Sequence, residues 1–179
     1  MKMTPGLRKF VLTAHILSSV GWIGAVAAYL ALDVTVATSQ DAQMLRAAWI
    51  AMGLITSSTL VPLALVSLFT GVVISLGTSW GLFRHYWVLI SLVLTVIATF
   101  VLLSETQLIS RMAAIAADPT TSSDQLRALP NTLLHSVGGT GVLLLITALN
   151  VFKPRGLTPY GWRKQQEQRT ARQPVGAEA

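Results

Sequence analysis

FVLTAHILSSVGWIGAVAAYLAL, residues Phe10 to Leu32, carries no charge between Lys9 and Asp33. A helix needs about 20 predominantly apolar residues to cross a bilayer, and this run reaches that length. It begins on a basic flank, as a secretory leader does, but leader cores run only about 7–15 residues. It is therefore expected to be retained as an anchor. Three further runs of the same kind follow: Ala47 to Gly77, His85 to Ser104 and Thr132 to Phe152. The fold they predict is all-α: an integral membrane four-helix bundle with spans at about 10–32, 47–77, 85–104 and 132–152.

The composition agrees. Of the 179 residues, 53% are hydrophobic and 11% are charged. Soluble domains carry about 25% charged residues. Cysteine is absent, which excludes disulfides, thiolate metal centres and cysteine nucleophiles. The formal charge of +6 implies no nucleic-acid partner, because the basic residues flank apolar runs and form no groove or stripe.

Those flanks set the expected orientation. With the N-terminus inside, ten of the 13 Lys and Arg residues (Lys2, Arg8, Lys9, Arg84, Lys153, Arg155, Arg163, Lys164, Arg169, Arg172) face the cytoplasm, and Arg46, Arg111 and Arg127 lie outside. The positive-inside rule then predicts a multi-pass protein of the inner (plasma) membrane with both termini cytoplasmic. Asp33 and Glu105 fall into outer loops on this reading, which leaves no Asp, Glu, Lys or Arg inside a span. Residues 1–152 form one transmembrane domain, and 153–179 a basic cytoplasmic tail, disordered toward its end from about Gln173. Trp80, Phe83, Tyr86 and Trp87 read as an interfacial belt, and Trp49 as an outer anchor.

Several local features refine this plan. The second run is too long for a simple span, and Pro62 near its middle predicts a kink. The third helix is expected to continue above the membrane to about Ala117, before Asp118–Pro119. Ser122–Ser123–Asp124 predicts a cap for one short helix ending before Pro130.

Ionisable groups inside a bilayer are costly and mark functional positions. His15 lies six residues beyond Lys9, roughly 9 Å deep. With Ser18 or Ser19, Trp22, Val26 and Tyr29 it forms a polar–aromatic stripe at spacings of three and four, which must face protein. His15 either hydrogen-bonds a Ser or Thr of the second span or serves as an axial heme or metal ligand. Trp22, Tyr29 and the small face Ser67–Gly71–Ser75 would line its pocket. His85 either touches headgroups or pairs with His15. His135, beside Gly138, Gly139 and Gly141, belongs to the opposite leaflet and suits an acidic partner from the outer loops. The glycines predict close packing or room for a flat ligand.

Three stretches together carry a resemblance: Thr13–Ala14–His15 through Gly21–Trp22–Ile23–Gly24, Gly81 through Leu89, and Lys153–Pro154–Arg155–Gly156 through Trp162. They resemble a group of small bacterial four-span membrane proteins of unknown function, and more loosely the copper-resistance-D-like families. Looser relatives, the HemJ-type protoporphyrinogen oxidases, place a heme-ligating His ahead of a Trp–x–Gly stretch, which His15 and Trp22–Ile23–Gly24 match. The resemblance thus implies His15 as axial ligand of heme b. Those relatives carry a Lys after a Trp in the third span; here Ser91 stands in that region, so the resemblance does not extend to oxidase chemistry.

Three functions follow as expectations. One is a non-enzymatic accessory or scaffold component that packs in a larger membrane complex or a homo-oligomer. Another is a b-type heme- or metal-binding protein with His15 as chief ligand and His85 or His135 as secondary candidates. The last is a small-solute or copper transporter, with Met44, Met52 and Met112 as the thioethers available to copper. The orientation has a direct test. A fluorescent-protein fusion at the C-terminus should glow, and an alkaline-phosphatase fusion there should be inactive. The same two fusions at Gln40 should give the reverse.

Overall fold

A computed structural model describes residues 3–78 and 81–170. Four of its helical segments, Pro5–Thr38, Ala42–Gly77, Tyr86–Ala117 and Leu133–Phe152, are long and apolar enough to cross a membrane. They pack as an all-helical bundle. Along its outward faces large apolar side chains are bare, among them Phe10, Leu17, Phe69, Phe100, Leu134 and Phe152, each 68% or more exposed. Such a surface is stable in hydrocarbon and a liability in water.

The first helix, α1 (Pro5–Thr38), starts at Thr4, whose hydroxyl accepts from the Leu7 amide, with Pro5 in the first turn. Proline suits that place because the first amides of a helix have no intrahelical partner. α1 runs six residues past the expected end of the first span. Asp33, assigned above to a loop, is instead a fully buried residue of this helix. The true connection is Ser39 to Asp41, and Asp41 caps α2 (Ala42–Ile55) by accepting from the Gln43 amide.

The helix meets Pro62 with a specific device. A π turn, Thr56–Leu60, joins α2 to α3 (Val61–Gly77), and the Val61 amide donates to the Thr56 carbonyl. Proline has no amide hydrogen and its ring collides with the carbonyl four residues back. The wider turn relieves that collision. Thr56, Ser57 and Ser58 return their hydroxyls to the Met52, Gly53 and Leu54 carbonyls, so the polar run burdens neither lipid nor core.

α4 (Tyr86–Ala117) is one continuous helix to the predicted boundary. Its 32 residues span about 48 Å, more than the roughly 30 Å of hydrocarbon. Its surplus turns pack on the start of α2. Gly53 makes that approach possible, since a Cβ there would lie 2.5 Å from the Ala113 Cβ. Arg46 donates to the carbonyls of Ala116, Asp118 and Thr121. A guanidinium there satisfies the orphan carbonyls at a helix C-terminus and matches the sign of its dipole. Asp118 caps the following turn: the Thr120 amide and hydroxyl donate to it and hold its carboxyl below the usual range. α5 (Ser123–Arg127) carries the expected cap, as a capping box between Ser122 and Gln125.

This end of the bundle, here the α5 end, holds the core. Trp49, Met52, Leu45, Met112, Ala116 and Leu126 are each at most 2% exposed. Trp49 is therefore a core residue rather than an interfacial anchor. Met52 and Met112 are core packing too, while Met44 is half exposed.

α6 (Leu133–Phe152) ends on Lys153 in the left-handed conformation, φ 45°. The chain then turns back. The Tyr86 amide donates to the Gly156 carbonyl, the Thr158 amide to Arg84, and the Thr158 hydroxyl to the Phe83 carbonyl. This lashing delivers a seventh helix, α7 (Pro159–Thr170), in a region read above only as a polar tail. The expected disorder from Gln173, and Trp80 of the expected belt, lie outside the described residues. α7 exposes Tyr160 and Trp162 and, in its last turn, Arg169.

Gly161 is the contact on which α7 seats. A Cβ there would fall on the Arg84 carbonyl oxygen, a backbone atom with no freedom to move aside. Gly161→Val is therefore expected to detach α7 while the spans stay folded. Limited trypsin digestion should then cut after Arg155 or Arg163 several-fold faster than in the parent protein, with the circular dichroism of the spans unchanged.

Candidate functional site

The polar stripe of α1 meets two partners, one in each half of the bundle, and a cavity opens at each. Toward the α7 end α1 packs along α3. His15 Nδ1 lies 3.1 Å from the Ser67 carbonyl and 3.1 Å from Thr70 Oγ1. A carbonyl can only accept, so Nδ1 carries the ring proton and donates. Thr70 spends its own proton on the Val66 carbonyl, 2.6 Å away. Beside them Ser19 and Ser67 share a hydroxyl hydrogen bond of 2.8 Å. Gly71 clears the space for the ring, because a Cβ there would stand 3.0 Å from His15 Cε1.

This arrangement is the interhelical hydrogen bond expected of His15, and it also leaves Nε2 as the unprotonated, basic nitrogen. The ring lines a cavity of about 510 Å³ bounded by α1, α3, α4 and α6. Trp22, Trp87, Ser67, Ser75, Ser91 and Asn150 are among its walls. Asn150 donates to Ser91, 3.3 Å away, tying α6 to α4.

Toward the other end the stripe continues one step beyond the sequence reading. Tyr29 is followed four residues on by Asp33, which has no solvent exposure. Thr132 Oγ1 donates to Asp33 Oδ1 at 3.0 Å, and Ser136 Oγ to Oδ2 at 2.7 Å. Tyr29 OH lies 3.2 Å from Thr132 Oγ1. Because Thr132 has given its one proton to Asp33, Tyr29 is the donor in that pair. Two hydroxyls thus donate to one carboxylate, and Tyr29 donates to one of them. Thr132 and Ser136 belong to the first turn of α6, whose dipole is positive there. Converging donors and a helix N-terminus are what a buried carboxylate requires.

A second cavity, about 290 Å³, adjoins this cluster. Tyr29, Thr132, Ser136, Glu105 and His135 line it, together with Gly138, Gly139 and a set of alkyl side chains. Glu105, also assigned above to a loop, is a residue of α4. His135 Nε2 lies 3.8 Å from its Oε1, which is the acidic partner expected for His135, drawn from a helix rather than a loop. Trp22 and Leu143 line both cavities and form the wall between them.

The five residues singled out in the sequence thus separate. His15 and Trp22 share the larger cavity. Tyr29 and His135 belong to the smaller one, so Tyr29 does not line the His15 pocket. His85 caps the N-terminus of α4, bridges to Leu157 through its backbone and sets its ring centroid 6.3 Å from that of Trp87. It is not among the residues lining either cavity. Sequence reasoning missed Asp33, Glu105, Thr132, Ser136 and Asn150. The first two were open to detection. Asp33 continues the α1 stripe, and Glu105 lies between Leu102 and Ile109 at spacings of three and four, on the face of α4 that ends in the buried Met112 and Ala116. Both lie within helices rather than in the outer loops to which they were assigned above.

Among the described residues no three His, Cys, Asp or Glu side chains gather in a group that could hold a metal ion. Comparison with protein-family models, curated proteins and solved structures finds no match.

Asp33 is expected to hold α1 to α6. Asp33→Leu strands the Thr132 and Ser136 hydroxyls, at about 1–3 kcal/mol for each buried group left without a partner. Thermal unfolding in detergent should show a lowered midpoint for Asp33→Leu and a smaller drop for Asp33→Asn, which keeps one acceptor oxygen.

Proposed function

We propose that this chain is a plasma-membrane protein, with both termini cytoplasmic, that holds a b-type heme through His15. The observation that carries this reading is the state of the imidazole: Nδ1–H is committed to the Ser67 carbonyl, and Nε2 is left basic at the wall of a cavity of about 510 Å³. Histidines that ligate metals use this device, in which a carbonyl or carboxylate on one nitrogen fixes the tautomer and aims the other.

The residues present fit a heme better than a bare ion. A closed ion site needs about four protein ligands, and His15 gathers no such company. A heme brings its own ring of nitrogens and requires one axial donor from the protein. Trp22, Trp87 and the alkyl side chains would enclose its faces, Gly71 keeps the imidazole from being pushed aside, and Lys153 at the cavity wall would meet a propionate. When bound, the group would supply electron transfer or ligation of a small molecule. The chain's own part is to orient Nε2, exclude bulk water with Trp22 and Trp87, and tie α6 to α4 at the cavity wall through Asn150 and Ser91.

A second reading, an accessory component of a larger membrane assembly, is supported by α7. Its exposed Tyr160, Trp162 and last-turn Arg169 suit the headgroup layer or an acidic partner at the membrane surface.

The heme reading is tested by an optical spectrum of protein purified from its native membrane. A Soret band is expected, lost in His15→Ala and shifted or weakened in Gly71→Ala, where the new methyl displaces the ring. Thr70→Val should keep the band, since the Ser67 carbonyl still holds Nδ1–H. Colourless protein that takes up no hemin would overturn it.

A further inference from the structure

The wall of the smaller cavity includes a carboxylate that is only half matched. Glu105 Oε2 is shut off from solvent and has no hydrogen-bond partner among the described residues. Its neighbour Oε1 meets only His135 Nε2, and at 3.8 Å that contact is longer than a hydrogen bond. Asp33, by contrast, is satisfied by Thr132 and Ser136 and by the N-terminus of α6, so it makes no demand on whatever fills the space. A carboxylate oxygen sealed from water without a donor carries a desolvation cost that a nearby positive charge would lower.

The remainder of the cavity says what would answer it. Apart from Glu105, His135 and the hydroxyls of Tyr29, Thr132 and Ser136, its walls are mostly aliphatic. Trp22 and Tyr29 present aromatic rings to it, which favour a cation over a neutral group. Along α6 the wall is bare: a Cβ at Gly138 or Gly139 would have no atom within 4 Å. The space is concave, largely apolar and provided with one uncompensated negative charge, the general form of a small-ligand site. A hydrated metal ion would find too few oxygens here, and an anion would face Glu105.

We propose that this cavity binds a small monovalent organic cation with an apolar body, an alkyl- or arylammonium, with Glu105 as its counter-charge and His135 as its competitor. The charged groups facing Glu105 are His135 from α6 and, behind the hydroxyl cluster, Asp33 from α1. His135 Nε2 approaches the same carboxylate, so the imidazole and a bound cation contend for it. The site is separate from the His15 cavity, across Trp22 and Leu143, and stands whether or not a heme is bound there.

The test is equilibrium dialysis of radiolabelled benzyltrimethylammonium against the full chain in lipid nanodiscs, with empty nanodiscs subtracted. Saturable binding is expected, and neopentylbenzene, the uncharged carbon isostere, should not compete. Glu105→Gln should lower the affinity about tenfold or more, the scale of a lost charge-assisted contact. His135→Gln should raise the affinity several-fold, because it removes the imidazole that contends for Glu105. That gain cannot arise from misfolding. The proposal is overturned if the probe does not bind, if neopentylbenzene competes equally, or if Glu105→Gln binds as tightly as the parent. Should Glu105→Gln fail to fold, equal affinities of the parent and His135→Gln overturn it instead.

Discussion

Hydrocarbon offers no hydrogen bonds, and the first helix carries a row of groups that need them. From His15 to Asp33 one face of α1 presents an imidazole, hydroxyls, an indole, a phenol and a carboxylate. None can be turned to lipid without leaving a donor or acceptor unmet. The bundle is arranged around that need. α3 supplies the Ser67 carbonyl and Thr70 for one half of the stripe, and α6 supplies Thr132 and Ser136 for the other. α4 then closes the remaining side. The positions of α3 and α6 relative to α1 are specified by a few polar contacts rather than by apolar burial, which in lipid discriminates little between faces.

The same contacts explain why the two halves differ. At the α5 end, the helices extend beyond the thickness of a bilayer, and large side chains such as Trp49, Met52 and Leu126 pack into a core like that of a soluble protein. Arg46 ties the end of α4 to this core. At the α7 end, small residues and hydroxyls line the interface, and the larger cavity results. The rigid end and the open end share Trp22, which stands between the two cavities. An indole there lets each cavity keep its own polar chemistry while the span remains continuous.

The structure also separates two kinds of buried ionisable group. Asp33 and His15 have their protons or charges matched by neighbours on other helices, and each thereby joins a pair of spans. Glu105 is only half matched. Its position beside a cavity, a bare stretch of α6 and a titratable imidazole distinguishes it from the structural pair. Whatever the larger cavity holds, the smaller one has an electrostatic demand of its own.

Composition and the spacing of charges were sufficient for the four spans, the helix continuing to Ala117, the capped turn at Ser122 and the disturbance at Pro62. These depend on the chain's local preference and on transfer to lipid, both of which are properties of contiguous residues. The inward face of α1 was legible for the same reason, since a helical repeat orders it. Which neighbour each polar group meets was not legible. Asp33 and Glu105 looked like loop residues because charge ordinarily marks a membrane boundary. Only the packing of α6 against α1 and α4 shows that one finds hydroxyl donors and a helix N-terminus and the other an imidazole. Tyr29 parts from His15, and α7 folds back on Arg84, for a like reason: such contacts join residues distant in sequence, and no local pattern encodes them.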